Sequence, residues 1–265
     1  MLKKLYKYEF YALFRNLLPI YAAVVGFALL SRLTSLVDIN KDIFNVLIGF
    51  IGTFYVISII AAFIVSFVVV VMRFYKNLLS HEGYLTFTLP FTPTQHIVCK
   101  LLCGVAVIII SFVIVLLSLG ILGAGTELMS EIIKIIKTAF LSAGQMYSSA
   151  RLTSFFVQLG IMIIVSLFQS LLMFYAAIAI GQQFRSKIGG AVVAFICLYA
   201  ASQVIATLEL TVFALFNIEN IDNYFDSGLD AVQSFLIMPF TVSLILSTAY
   251  FIITRHFLTK KLNLE

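Results

Sequence analysis

Residues Ile43 to Val71 read IFNVLIGFIGTFYVISIIAAFIVSFVVVV, 29 positions without a single charged side chain. As a helix this run would extend about 43 Å at roughly 1.5 Å per residue, more than the ~30 Å hydrocarbon core of a bilayer. A helix at the surface of a soluble protein needs a polar stripe, and this one has none. It is therefore expected to cross a membrane with length to spare for tilt. Five further runs have the same character: Leu17–Val37, Ile97–Gly125 with Lys100 near its start, Phe155–Ile180, Ile188–Leu208 and Ala231–Thr254. The whole chain is 62% hydrophobic and 11% charged, where a soluble domain is about half apolar and about a quarter charged. The expectation is an all-α integral membrane protein, a single transmembrane domain over residues 1–265 with spans at about 17–37, 43–71, 97–125, 155–180, 188–208 and 231–254.

Six spans put both termini on one side. Loops rich in Lys and Arg tend to stay in the cytoplasm, and here the side of the termini carries twelve cations: Lys3, Lys4, Lys7, Arg15, Arg73, Lys76, Lys100, Arg185, Lys187, Arg255, Lys260 and Lys261. The other side has five, Arg32, Lys41, Lys134, Lys137 and Arg151, against nine acids. With only Glu9, Glu82 and Glu265 on the first side, the nets are +9 and −4, which account for the chain's +5. Both termini are thus expected in the cytoplasm, with the protein in the cell membrane. The basic balance is a topology signal and not a nucleic-acid footprint, because its cations are spread over short segments next to spans.

Met1–Asn16 lacks the short apolar region and small-residue cleavage site of a secretory signal. Lys4, Lys7, Tyr11 and Arg15 fall near one helical face and Leu2, Leu5, Phe10, Leu13, Phe14 and Leu17 on the other, the pattern of a helix at headgroup level; a plain basic flank is the alternative. In the connection Thr126–Ser154, Glu127, Glu131, Lys134 and Lys137 share a face at spacings of three and four, so a second surface helix is expected. After Glu209, Leu210–Phe216 stays apolar before Glu219, Asp222, Asp226 and Asp230. Seven residues cannot cross a bilayer, and the 209–230 segment is able instead to dip in and return where protein buries it.

The chain has no GxxxxGK[ST] phosphate loop, HExxH or GxSxG motif, so an enzyme with those sites is not expected. Cys99, Cys103 and Cys197 lie in or near spans and His81, His96 and His256 are scattered; no metal site and no cofactor of this chain is expected. No span as delimited above carries a charge near its middle, which argues against ion or proton coupling. The polar residues within spans are Ser58 and Ser66, Gln158, Ser166, Gln169 and Ser170, and Gln203. Such groups generally hydrogen-bond between helices, and Ser66, Gln169 and Gln203 are the candidates for helix contact or for lining a pathway. Gly49 with Gly52, and Gly120 with Gly123 and Gly125, are candidate close contacts.

The connection between spans two and three, 72–96, is too apolar to be a mere tether. It holds Lys76, His81, Glu82, Gly83, Tyr84, Leu85, Phe87, Leu89, Pro90, Thr92 and Pro93. A short helix ending near Glu82 and Gly83, followed by a stretch stopped by Pro90, would present Leu85, Phe87 and Leu89 beside an acid, and exposed apolar residues of that kind want a partner. The segment resembles the cytoplasmic coupling segment of ABC-2 type transporter permeases, in which Glu-Gly-Thr/Tyr-Leu precedes Leu-Pro and a Ser/Thr; the matching residues are Glu82, Gly83, Tyr84, Leu85, Leu89, Pro90 and Thr92. Tyr84 and Phe87 depart from the usual small or acidic residues.

The resemblance extends to the arrangement: amphipathic amino-terminal helix, six spans, coupling helix after span two, and a re-entrant stretch between spans five and six. It implies a permease paired with a second, identical or related, permease subunit and driven by two separate ATP-binding cassette subunits, which would hold the ATP and Mg. It places the ATPase contact on Lys76, His81, Glu82, Gly83, Tyr84, Leu85, Leu89 and Pro90, with Glu82 foremost; an ordinary carboxylate paired with Lys76 or Arg73 is the alternative for Glu82. The implied activity is export of a hydrophobic or amphipathic substrate such as a peptide, lipid or drug. A membrane scaffold or sensor is the alternative class, and an intramembrane enzyme lacks the paired acids or histidines it would need.

Overall fold

A computed structural model describes residues 2–35, 42–79, 83, 91–184, 186–217 and 228–260. Among the described residues there are seven long helices and no strand: α1 (Leu2–Ser35), α2 (Asp42–Leu79), α3 (Pro93–Gly123), α4 (Glu127–Met146), α5 (Ser149–Gly181), α6 (Lys187–Asn217) and α7 (Leu229–Lys260). All but α4 are long and apolar enough to cross a membrane. Lipid offers no partner for a free backbone N–H or C=O, so a chain of this composition can satisfy its backbone only as helix.

Three boundaries differ from the sequence reading. The amino-terminal segment is not a separate interfacial helix, because α1 runs unbroken from Leu2 to Ser35 with Pro19 inside it. Proline costs a helix one backbone bond, and here the acceptor deprived of its donor belongs to Arg15, at the polar end of the run. The amphipathic division itself holds, with Lys4, Lys7, Tyr11 and Arg15 exposed and Leu13 and Leu17 buried. Span three starts at Pro93 and not at Ile97. The first part of the stretch read as able to dip in and return is a continuation of helix: Leu210–Phe216 extends α6 to Asn217, while 218–227 lie outside the described residues.

The helices group into two compact units. The first comprises residues 1–72 and 102–146, the second 73–101 and 147–265. In the first, Val24, Ala28, Tyr55, Ala62 and Val115 from α1, α2 and α3 form a buried cluster edged by Ile20, Phe27, Ile59 and Leu122. Two polar rungs cross it. The Tyr21 hydroxyl lies 2.6 Å from Ser111 Oγ, which lies 2.8 Å from Ser66 Oγ; Tyr55 meets Ser118 at 3.0 Å. Each hydroxyl has one proton, so a consistent chain runs from Tyr21 to Ser111 to Ser66 and ends on the Ala62 carbonyl. Ser66 is thus a helix-contact residue.

Removing a member of this chain has a graded cost. Tyr21→Phe deletes one interhelical bond, worth about 1 kcal/mol in membrane proteins. Ser111→Ala removes both interhelical bonds that Ser111 makes, to Tyr21 and to Ser66, and is expected to cost about 2 kcal/mol. Unfolding titrations in mixed micelles should rank the variants in that order, with Tyr21→Phe adding little on top of Ser111→Ala.

The α4 helix is the expected surface helix, and none of its residues is buried. A turn at Gly125, whose φ of +75° favours glycine, separates it from α3, and the Thr126 hydroxyl caps it by accepting the Met129 N–H at 3.3 Å. Ile132, Ile133, Ile136 and Phe140 are all exposed, on the face opposite Glu127, Glu131 and Lys134.

In the second unit α5 packs against both α6 and α7. The α5–α6 connection is tight because two glycines line it: a Cβ on Gly181 would fall 2.5 Å from the Ala191 backbone nitrogen, and one on Gly190 would fall 2.6 Å from the Phe184 side chain. Ser186 caps α6 by accepting the Gly189 N–H at 3.3 Å. By contrast, among the described residues a Cβ at Gly49, Gly52 or Gly120 would meet nothing within 4 Å, whereas one at Gly123 would fall 2.5 Å from the Met129 side chain and one at Gly125 2.9 Å from that of Arg32.

Candidate functional site

The helix ends that flank the 72–96 connection are firmly held within the second unit. Phe74, in the last turns of α2, stacks on Tyr175 of α5 with ring centroids 3.9 Å apart and planes 6° from parallel. Both residues are fully buried, and the Tyr175 hydroxyl donates to the Lys100 carbonyl of α3 at 3.5 Å. Leu78, Leu79, His96, Ile97 and Lys100 are buried around them.

The connection re-enters helix through a capping box. The Thr92 N–H donates to Gln95 Oε1 at 3.0 Å, and Thr92 Oγ1 accepts the Gln95 N–H at 3.4 Å. Pro93 occupies the first helical position, where a missing donor costs nothing. The sequence Thr92-Pro93-Thr94-Gln95 carries that signal, and it dates the start of α3 a full turn earlier than hydropathy alone. Phe91 lies edge-on to His96, with centroids 5.7 Å apart.

Of the motif itself, Gly83 is helical and buried, and Lys76 is exposed in the last turn of α2. His81, Glu82, Tyr84, Leu85, Leu89 and Pro90 lie outside the described residues, as does the short helix expected to end near Glu82. Gln169 is half-buried on α5 and Gln203 exposed on α6. Gln158 bridges helices, its Nε2 donating to the Gln233 carbonyl at 3.0 Å, while Gln233 Nε2 donates to Ser154 Oγ at 3.0 Å. Tyr147 adds a third tie by accepting the Leu229 N–H at 3.3 Å. Cys99 and Cys103 are buried in α3, and Cys197 is exposed on α6; among the described residues no group of three His, Cys, Asp or Glu side chains is placed to hold a metal ion.

One acidic residue, expected just beyond the end of the fifth span at Leu208, falls within it. Glu209 lies inside α6, within a candidate span that extends to Leu215. It lines a cavity of about 300 Å³ with Met162, Leu210, Phe213, Phe235, Leu236, Met238 and Pro239 among its neighbours. Its Oε1 is buried with no hydrogen-bond partner among the described residues. Phe213 and Phe235 meet edge to face at 5.1 Å in the wall of this cavity. A larger cavity of about 430 Å³ between α5 and α7, lined by Val165, Phe168, Leu172, Leu244 and Phe251, has only Ser247 and Thr248 as polar neighbours.

No family model matches the chain, and no characterised protein or solved structure does. The six apolar helices define a multi-pass membrane protein.

Proposed function

We propose that this chain is the membrane-spanning permease subunit of an ATP-binding cassette exporter, moving a hydrophobic or amphipathic substrate. Two copies of a separate ATP-binding subunit supply the energy and hold the ATP and Mg, and the permease pairs with a second, identical or related, permease subunit. The reading is carried by Glu82-Gly83-Tyr84-Leu85 and Leu89-Pro90 in the connection between the second and third spans. The surroundings of that connection suit the role. A segment that receives a push must be attached stiffly at both ends, and Phe74 on one side and Lys100 on the other both engage Tyr175. In this reading the basic end of the helices faces the cytoplasm, both termini lie there, and hydrolysis takes place in the partner and not in this chain. Nucleotide-driven closure of the ATPases then displaces the 76–94 segment and, through the Tyr175 clamp, α5.

The test is purification of the tagged chain from its native membrane in mild detergents. An ATP-binding subunit is expected to accompany it and to be lost on Glu82→Arg, since charge reversal at a docking carboxylate leaves like charges opposed. If none accompanies the wild type, the scaffold or sensor class takes the permease's place.

A further inference from the structure

Glu209 poses a physical problem in the second unit. An intramembrane carboxyl group is costly unless something compensates it, yet no Lys or Arg lines its cavity and its Oε1 has no hydrogen-bond partner among the described residues. The opposite wall carries a proline. Pro239 lies inside α7 and cannot donate an N–H to the Phe235 carbonyl one turn earlier, and both residues line the same cavity. The other neighbours of Glu209 there, Met162, Ala206, Leu210, Phe213, Leu236 and Met238, are apolar.

We propose that this cavity binds an amphipathic monocation, with a primary ammonium against the Glu209 carboxylate and an apolar body among Met162, Phe213, Leu236 and Pro239. An ammonium has three donors and no acceptor, so it can serve the carboxylate and still have donors for a backbone carbonyl. At about 300 Å³ the space is far larger than a bare ion needs. A divalent cation would demand six or more oxygen ligands, and one carboxylate cannot supply them. An anion is repelled, and a neutral lipid leaves the charge uncompensated.

Depth supports the same occupant. Glu209 lies 22 residues after Lys187 on α6, about 33 Å along the axis at roughly 1.5 Å per residue. Pro239 lies 21 residues before Lys260 on α7, about 32 Å by the same rise. The cavity is therefore in the half of both helices away from their basic termini, Glu209 about 12 Å from the end of α6 and Pro239 about 15 Å from the start of α7 at the same rise, so an amphiphile entering from that side keeps its head hydrated for most of the way to Glu209. The proposal narrows the substrate chemistry of a permease but needs only the geometry of α5, α6 and α7, and it stands whether or not an ATPase drives the chain.

The chain contains no tryptophan, so Leu210→Trp places a single indole in the cavity wall. Its quenching in maltoside micelles by 12-bromododecylammonium and by 12-bromododecanol, which share a tail and differ in charge, tests the assignment. The ammonium is expected to quench saturably with a midpoint at least ten-fold below that of the alcohol, and Glu209→Gln should erase the difference while Glu209→Asp keeps part of it. Equal midpoints for the two amphiphiles, as a site satisfied merely by a proton would give, overturn the proposal; so does a preference that survives Glu209→Gln. Should the substituted chains fold poorly, the unfolding temperature of the unsubstituted chain decides: dodecylammonium must raise it more than dodecanol at equal mole fraction, and an equal or smaller rise overturns the proposal.

Discussion

Phe74→Ala is expected to lower the unfolding free energy by about 3 kcal/mol or more, at the upper end of single-site effects. The ring it removes is fully buried and lies flat on Tyr175 at 3.9 Å. Truncation therefore leaves a hole, and it also removes an aromatic contact worth about 1 kcal/mol beyond area. Lipid tails reduce the transfer part of the cost, since they are as apolar as the protein interior, but they cannot fill a closed void between α2 and α5. Phe74→Leu should recover much of the loss because it restores volume without the stack. Reversible unfolding of the three proteins in mixed micelles measures the order. In the permease reading the same change loosens one attachment of the coupling segment, so transport should fall in Phe74→Ala under conditions where most of the protein remains folded.

Gly181→Val should be comparably damaging for the opposite reason. The glycine ends α5 where the backbone of Ala191 in α6 comes closest, and even a methyl group would overlap the Ala191 nitrogen at 2.5 Å and Cα at 2.6 Å. Backbone cannot swing aside as a flexible side chain can, so the α5–α6 turn must open. Overpacking of this sort costs about 1–3 kcal/mol, and valine, with two further methyls, is expected at the top of that range and alanine below it. Gly49→Ala is the matched control: it adds a methyl that meets nothing and should leave stability within about 0.5 kcal/mol, the size of an ordinary surface change. Thermal unfolding of the three variants tests the assignment of close contact to Gly181 and not to the more conspicuous Gly49 and Gly52.

The number and kind of helices were legible from composition because the bilayer removes alternatives. A run such as 43–71 has no water to satisfy its backbone and no sheet edge to pair with, so hydropathy alone dictates helix. Helix starts have a local chemical signal as well, which hydropathy passed over in placing the third span at Ile97: Thr92-Pro93-Thr94-Gln95, Thr126 and Ser186 each place a capping oxygen where a helix begins. The path of the chain after Glu209 was not legible. Leu210–Phe216 has the same composition whether it dips and returns or extends α6, and its partner in the folded chain, Phe235, which meets Phe213 edge to face, is not marked by any local pattern.

The sites divide in the same way. That Ser66 would bond between helices could be expected of any hydroxyl in a span, but its partners Tyr21 and Ser111 stand 45 residues away on either side, a separation no local pattern encodes. Glu209 looked like the first residue of a polar connection, and only the packing of α5, α6 and α7 made it a half-buried side chain with one covered oxygen beside an apolar cavity. The sequence by itself determined what is set by the solvent and by short-range chemistry: six apolar spans, one amphipathic surface helix and the asymmetric placement of charge. The tertiary structure alone decided which glycine is indispensable, which hydroxyls meet and which carboxyl lacks a counter-charge, because each depends on distances between helices and not on the order of residues along one.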